Sequence, residues 1–250
     1  MSRTLIIPAA GRGSRLQSDL PKVLYPVAGR AMIDHLLDLY ADFVDRFVLV
    51  LSPEFQDVVQ GHCSAIHRFA GRIDYGIQER PDGMLPAILA AAPVVAGHQP
   101  DSVWITWCDQ IAVRPGTVRR LLELSSGTAG LVLPTVRKTD PYIHFERDDA
   151  NRITAVLHRR EGDVMPAIGE SDSGLFALSR RAYLEHLPNF AAEPAKDSGA
   201  ATGESNFLPF IPWMAQRDVV LTFDLEDEIE SLGVNTTADA QAVEERMPHA

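Results

Sequence analysis

Leu5-Ile6-Ile7-Pro8-Ala9-Ala10-Gly11-Arg12-Gly13-Ser14-Arg15-Leu16 joins a short apolar run to a loop of small residues, and Pro21-Lys22 follows after four more residues. The loop's two glycines let backbone N–H groups turn toward a polyanion without a Cβ in the way. Ser14 adds a hydroxyl donor, and Arg15 and Lys22 supply countercharge. Such a strand-to-loop element suits a polyphosphate. Two familiar phosphate loops do not apply: the dinucleotide fingerprint needs a third glycine where Leu16 stands, and the Walker loop ends Gly-Lys-Ser/Thr, whereas Ser-Arg follows Gly13 here.

The rest of the chain bounds what such a loop can serve. With 250 residues and 46% hydrophobic content, a single α/β domain over 1–250 can bury a full core. Lys plus Arg number 23 and Asp plus Glu 34, so 23 − 34 = −11, a mean field that repels nucleic acid and anionic membranes. A phosphate ligand then needs a local basic grouping, which Arg12, Arg15 and Lys22 offer. Two cysteines, Cys63 and Cys108, far apart and without a histidine pair, argue against a zinc site or disulfide framework. The apolar run Leu5 to Ala10 is too short for a signal segment and no stretch approaches a membrane span, so a cytoplasmic location is expected.

Buried strands are predicted at Thr4–Pro8, Arg46–Leu51, Arg72–Ile77, Val103–Trp107, Gly130–Thr135 and Val219–Phe223. Helical spacing is seen over Ala31–Tyr40, from Ser52-Pro53 onward, over Met84–Ala96, from Pro115 to Ser125, and over Asn206–Gln216. This alternation predicts an open, mostly parallel sheet of Rossmann-like, three-layer α/β/α class. Ligands of such sheets sit beyond the carboxyl ends of the strands. The first loop, Gln78 and Asp109 all follow predicted strands and should share one crevice. Short strands from Tyr142 (Ile143–Glu146, Arg152–His158, Ser173–Ala177) predict a small β-rich insertion beside the crevice. The expected division is therefore 1–136 for the half with the phosphate loop, 137–217 for the insertion and a flexible loop, and 218–250 for the last strand and C-terminal helix. Ala191–Ser205 reads either as a plain loop or as a lid, and the acidic run Asp224–Glu230 as a solvated loop.

The ordered set Ala-Ala-Gly-x-Gly-Ser-Arg-Leu then Pro-Lys resembles the opening of the sugar-phosphate nucleotidyltransferases, MobA-like NTP transferases that join a nucleoside triphosphate to a phosphorylated sugar or alcohol. The resemblance implies nucleotide binding by Ala10, Gly11, Gly13 and Ser14, with Arg15 and Lys22 as the catalytic cations. Gln78-x-x-Pro81-Asp82-Gly83-Met84 looks like the base-recognition segment of the thymidylyl- and uridylyltransferases, which carries Gln78 and Gly83 over as base-binding residues. Trp107-Cys108-Asp109 resembles the family's Gly-Asp turn, and Gly233-Val234-Asn235 its Gly-Val-Asn. Asp109 and Asn235 are thereby implied as the Mg²⁺ ligands; one carboxylate and one amide oxygen suffice because Mg²⁺ keeps waters and phosphate oxygens in its shell.

The acceptor side matches less closely. Where the family strand usually ends in Glu-Lys or Glu-His, His158-Arg159-Arg160 stands, and where it usually reads Asn-Thr-Gly or Val-Thr-Gly, Asp172-Ser173-Gly174 follows Glu170-Ser171. His158, Arg159, Arg160, Glu170 and Asp172 are the acceptor-binding candidates. The two arginines suggest an acceptor with an extra anionic group; strand alternation lets at most one of them face the crevice. The implied reaction consumes a nucleoside triphosphate, with a pyrimidine base expected, and a small phosphorylated acceptor, and releases pyrophosphate. A homo-oligomer is compatible with it. A cytidylyltransferase for a phospho-alcohol or phosphonate, or a nucleotide-binding regulator without turnover, are the alternatives. No counterpart of the acyltransferase half of the bifunctional uridylyltransferases is expected to act here.

Overall fold

Leu5 and Ile7 of strand β1 (Arg3–Pro8) face one side of a central sheet and Ile6 faces the other. The same alternation in Phe47, Val48 and Leu49 of β4 (Arg46–Leu51) and in Val103 and Trp104 of β6 (Ser102–Thr106) gives the sheet two apolar faces. Each face must be covered, which produces three layers. The structure is a computed structural model and describes residues 1–193 and 203–247. Helices α1 (Met32–Tyr40), α2 (Gln56–Ser64) and α5 (Pro115–Ser125) bury residues in the core on one face. Helices α3 (Met84–Ala90) and α4 (Ala92–His98) bury theirs on the other.

A minor pair, β2 (Pro26–Val27) and β3 (Arg30–Ala31), precedes α1. Strand β1 pairs in parallel with β4 on one side and β6 on the other, and β5 (Ile73–Ile77) extends the sheet beyond β4. The chain thus leaves β1 in opposite directions along the sheet, which opens a crevice at its carboxyl end. The loop 9–16 and Asp109 both open onto that crevice. The expected fold class, a Rossmann-like sheet that is mostly parallel, is the one observed.

Several element boundaries differ from the sequence prediction, for identifiable reasons. Ser52 and Pro53 do not start α2: the Ser52 carbonyl accepts from Phe55 (3.2 Å) and Gln56 (3.1 Å), closing a turn first. The helix predicted over Met84–Ala96 is split between α3 and α4, because Pro93 lies in the first turn of the second segment and can donate no hydrogen bond to the preceding one. Past a short helix α6 (Leu187–Ala192), the helix expected over Asn206–Gln216 is shortened to α7 (Phe210–Ala215), with Pro209 at its N-cap.

Strand β7 (Leu131–Thr139) runs four residues past the predicted Thr135. The proposed insertion contains one free-standing hairpin, β8 (Ile143–Arg147) with β9 (Ile153–His158). The two strands that follow, β10 (Ile168–Asp172) and β11 (Leu175–Ser179), return to the main sheet instead. β11 lies antiparallel between β6 and β7, and β10 pairs with the extension of β7. β12 (Val220–Asp224) pairs in parallel with the other edge of β7.

The acidic run is not simply solvated either. Glu230 is 1% exposed and accepts from Thr117 Oγ1 (2.5 Å) and the Arg114 N–H (2.9 Å), tying this segment to the start of α5. Glu230→Ala is expected to cost about 2–3 kcal/mol, because a buried hydroxyl and a part-buried N–H lose a charged acceptor; a urea titration that moves by less than about 0.5 kcal/mol would show the contact to be inconsequential.

Candidate functional site

Lys22 lies where the loop after β1 turns back: Gly11 accepts from the Lys22 N–H (3.3 Å), and a Cβ on Gly13 would stand 2.9 Å from Lys22 Cβ. Gly13, at φ +69°, therefore has to be glycine both for its backbone and for Lys22 to pass. At Gly11 an added Cβ would meet nothing within 4 Å, so the protein's own packing does not demand that glycine. From this position the Lys22 ammonium reaches across the sheet. It donates to Asp109 Oδ2, at the end of β6, and to Asn235 Oδ1 (2.8 Å). Arg15 donates to the same Asn235 oxygen at 2.8 Å. Four residues expected to act together thus converge from three distant parts of the chain.

Local structure fixes each partner. The Val234 N–H donates to the Asp109 carbonyl (3.0 Å), and a Cβ on Gly233 would lie 3.2 Å from the Asp109 carboxylate, so the Gly-Val-Asn segment packs directly on the aspartate. Helix α8 (Thr237–Glu244) begins with a capping box in which Thr236 and Asp239 satisfy each other's backbone donors. Asp239 also accepts from the Asn235 N–H (3.0 Å), leaving the Asn235 amide oxygen aimed at the two cations. Arg12, by contrast, turns away to pair with Glu54 at 2.5 Å.

A cavity of about 610 Å³ opens from this centre. Arg15, Lys22, Asp109 and Asn235 line one part of it; Lys138, Ser171, Asp172, His158 and Arg160 line another, with Trp107 and Tyr142 as aromatic walls. Asp172 holds the Gly174 N–H at 2.8 Å, and burial raises its carboxyl pKa. His158 packs edge-on against Tyr142 and meets Asn206 Nδ2 at 3.0 Å; burial lowers its imidazole pKa.

The adjacent arginines diverge, though not by strand alternation: β9 ends at His158, and Arg159–Glu161 form a 3-10 turn. Arg160 borders the cavity and forms two 3.0 Å bonds to Glu204. Arg159 does not border it: it pairs with Asp140 and donates to the Pro141 carbonyl (3.0 Å). Glu170 is also drawn elsewhere, into a two-bond pair with Arg147 at 2.5 and 2.8 Å. Burial alone would raise the Glu170 pKa, but the Arg147 guanidinium and the Thr135 hydroxyl hold it below the usual range.

Ala10, Gly11, Gly13 and Ser14 follow β1 but do not border the cavity, and neither do Gln78 and Gly83. The Gln78 amide nitrogen is spent within its own turn, on Asp82 Oδ1 (3.0 Å) and the Gly83 carbonyl (2.9 Å). Gly83, at φ +124°, lies against Ser205, whose N–H donates to Asp82 (2.8 Å) and whose carbonyl accepts from Leu85 (3.1 Å). A Cβ on Gly83 would be 2.5 Å from the Ser205 nitrogen. Gly83→Ala is therefore expected to lower Tm by about 4–10 °C, given about 1–3 kcal/mol of backbone strain; an unchanged melting curve would mean that Ser205 yields freely.

Ser205 belongs to a described stretch, 203–206, that joins the Gln78 turn to the β8–β9 hairpin through Glu204–Arg160 and Asn206–His158. Of the loop expected at Ala191–Ser205, residues 194–202 lie outside the described residues, so the lid expectation does too. Gln110, Lys138, Glu204 and Asn206 were not anticipated from sequence. Lys138 could have been found by extending the period-two pattern of β7, in which Val136 is buried, Arg137 exposed and Lys138 partly buried. Among the described residues no helix is long and apolar enough to cross a membrane.

Comparison with known proteins matches residues 5–194 to the MobA-like NTP transferase domain. The chain is 32% identical over 251 residues to the bifunctional protein GlmU of Heliobacterium modesticaldum, covering 96% of this chain and 52% of that protein. It is likewise 32% identical over 244 residues to GlmU of Pseudomonas syringae pv. syringae, covering 94% and 49%. The chain thus spans about half the length of the curated relatives it matches. A solved structure assigned as a glucose-1-phosphate thymidylyltransferase from Bacillus anthracis superposes with a TM-score of 0.79 at 16% identity, covering 100% of this chain and 98% of that one; this likeness concerns the fold alone. With the loop after β1, its two cations and the crevice at the switch point all in place, the chain belongs to the MobA-like NTP transferase domain family.

Proposed function

We propose that this chain is a nucleotidyltransferase that joins a nucleoside triphosphate, with a pyrimidine base, to a small phosphorylated acceptor and releases pyrophosphate. The observation that carries the proposal is the Lys22 ammonium held between Asp109 and Asn235, with Arg15 on the same amide oxygen. An acceptor phosphate oxygen attacks the α-phosphorus, the bond from the α-phosphorus to the bridging oxygen breaks, and pyrophosphate leaves with that electron pair. No general base is needed, because a phosphomonoester with a second pKa of about 6 is already largely dianionic at neutral pH. The protein's task is positioning and charge neutralisation.

In this reading Arg15 and the backbone of Ala10 to Ser14 hold the β- and γ-phosphates, and the open space at Gly11 lets a phosphate approach. Lys22 neutralises the α-phosphate and the incoming phosphate. Gln78 offers its amide oxygen toward the base, its nitrogen being engaged with Asp82 and Gly83. Asp109 and Asn235 suit Mg²⁺: a carboxylate and an amide oxygen already converge on a single positive charge. Among the described residues no group of three or more His, Cys, Asp or Glu could hold a metal unaided, so ligand phosphates would complete the shell. When bound, the ion supplies charge neutralisation to the phosphates it touches.

His158, Arg160 and Asp172 border the acceptor part of the cavity. Arg160→Ala is expected to raise the acceptor KM tenfold or more at unchanged triphosphate KM, the scale of losing a charge-assisted hydrogen bond. Arg159→Ala, at a residue that does not border the cavity, is expected to leave the acceptor KM alone. Equal effects of the two variants would contradict this placement. The function itself is tested by pyrophosphate release, crossing four nucleoside triphosphates with sugar 1-phosphates, phospho-alcohols and phosphonates. Release that needs both a triphosphate and an acceptor supports it; the absence of acceptor-dependent release with every pair would refute it.

A further inference from the structure

Among the described residues, four basic side chains of Arg or Lys type line the cavity: Arg15, Lys22, Lys138 and Arg160. Two of these are neutralised, Lys22 by Asp109 and Arg160 by Glu204. Arg15 donates to the Asn235 amide, on the triphosphate side. Lys138 stands on the other side, on the extension of β7. Among the described residues no carboxylate comes within ion-pair distance of its ammonium, and its one hydrogen bond is a long one, 3.4 Å, to the Ser231 carbonyl. Burial lowers its pKa, with Glu228 and Asp172 acting in the opposite sense. A partly buried ammonium so weakly engaged is an anion position.

A second, independent feature points to a ligand in the same cavity. Gln110 is only 6% exposed and borders the cavity, yet among the described residues its amide oxygen has no hydrogen-bond partner. Its placement is built by the fold. Gln110 follows Asp109 in a turn closed by its N–H on the Trp107 carbonyl (3.2 Å), and its Cγ rests where a Cβ on Gly174 would be 2.7 Å away. Buried amides are ordinarily paired, so an orphaned one in a cavity wall awaits a donor from what fills the cavity.

We propose that Lys138 binds a carboxylate at the end of the acceptor remote from its reacting phosphate, while Gln110 hydrogen-bonds a hydroxyl on the body between them. The acceptor is then a phosphorylated hydroxy acid or sugar acid rather than a neutral sugar phosphate. This rests on the reading of the cavity as the acceptor site. Arg160 keeps N–H donors for the acceptor, but its charge is balanced by Glu204, so the carboxylate selectivity falls to Lys138.

Equilibrium binding to the full chain tests the inference without requiring turnover, so failure of nucleotidyl transfer and failure of this assignment remain distinguishable. Two matched probe pairs differ by CH₂OH against carboxylate: glucose 1-phosphate with glucuronic acid 1-phosphate, and glycerol 3-phosphate with 3-phosphoglycerate. In at least one pair the acid is expected to bind tenfold or more tightly. Lys138→Met should remove that advantage while weakening the CH₂OH member by less than threefold, and Lys138→Arg should retain most of it. If Lys138→Met folds poorly, Lys138→Gln serves the same purpose and must show the same loss. No preference for the acid in either pair, or a preference that survives removal of the Lys138 charge, would overturn the assignment.

Discussion

Lys22→Ala is expected to lower kcat by about a hundredfold or more, the scale of losing one preorganised charge contact to a transition state. The residue's position explains why the effect should fall on kcat more than on triphosphate binding. Arg15 and the loop backbone remain to hold the outer phosphates, whereas Lys22 alone reaches both Asp109 and Asn235. The pair is also sequestered, with side-chain exposures of 14% and 13%, so truncation leaves Asp109 without its cation. A stability loss of about 3–5 kcal/mol is expected from that, which a melting curve separates from the kinetic defect. Turnover within about twofold of the parent would show that Lys22 is no part of the reacting centre.

Asp109→Asn is expected to remove most turnover and to raise the Mg²⁺ concentration needed for what remains. From sequence alone Asp109 looks like a loop-end carboxylate of little packing consequence; the structure corrects this. Asp109 is buried, faces Lys22, and has Gly233 and Val234 packed against it. Asparagine keeps the shape and an oxygen for Lys22 but loses the charge, so about 1–2 kcal/mol of stability should go as well. A variant that turns over normally at low Mg²⁺ would remove Asp109 from the metal site.

The crevice around Lys22 was legible because its signals are local. Continuous apolar runs mark β1, β4 and β6, and the residues with chemistry follow those strands in sequence, so predicting the strands already placed Arg15, Lys22 and Asp109 at one crevice. The opposite wall of the cavity depends on pairings distant in sequence. Ile168-Gly169-Glu170-Ser171-Asp172 has too few apolar residues to announce a strand, yet β7 supplies it with a partner. Glu170 looked available for a ligand until that pairing brought it to Arg147. Likewise Gln110 is unremarkable in sequence; the fold buries its amide oxygen without a partner among the described residues and packs Gly174 against its Cγ.

The most direct measurement follows two labels through one reaction. With the triphosphate labelled at its α-phosphorus in one sample and at its γ-phosphorus in another, incubation with Mg²⁺ and the acceptor should carry the α label into a nucleotide–acceptor conjugate and the γ label into pyrophosphate, in equal amounts. Transfer of the γ label to the acceptor, or its appearance as orthophosphate with no conjugate formed, would contradict nucleotidyl transfer as the activity of this chain.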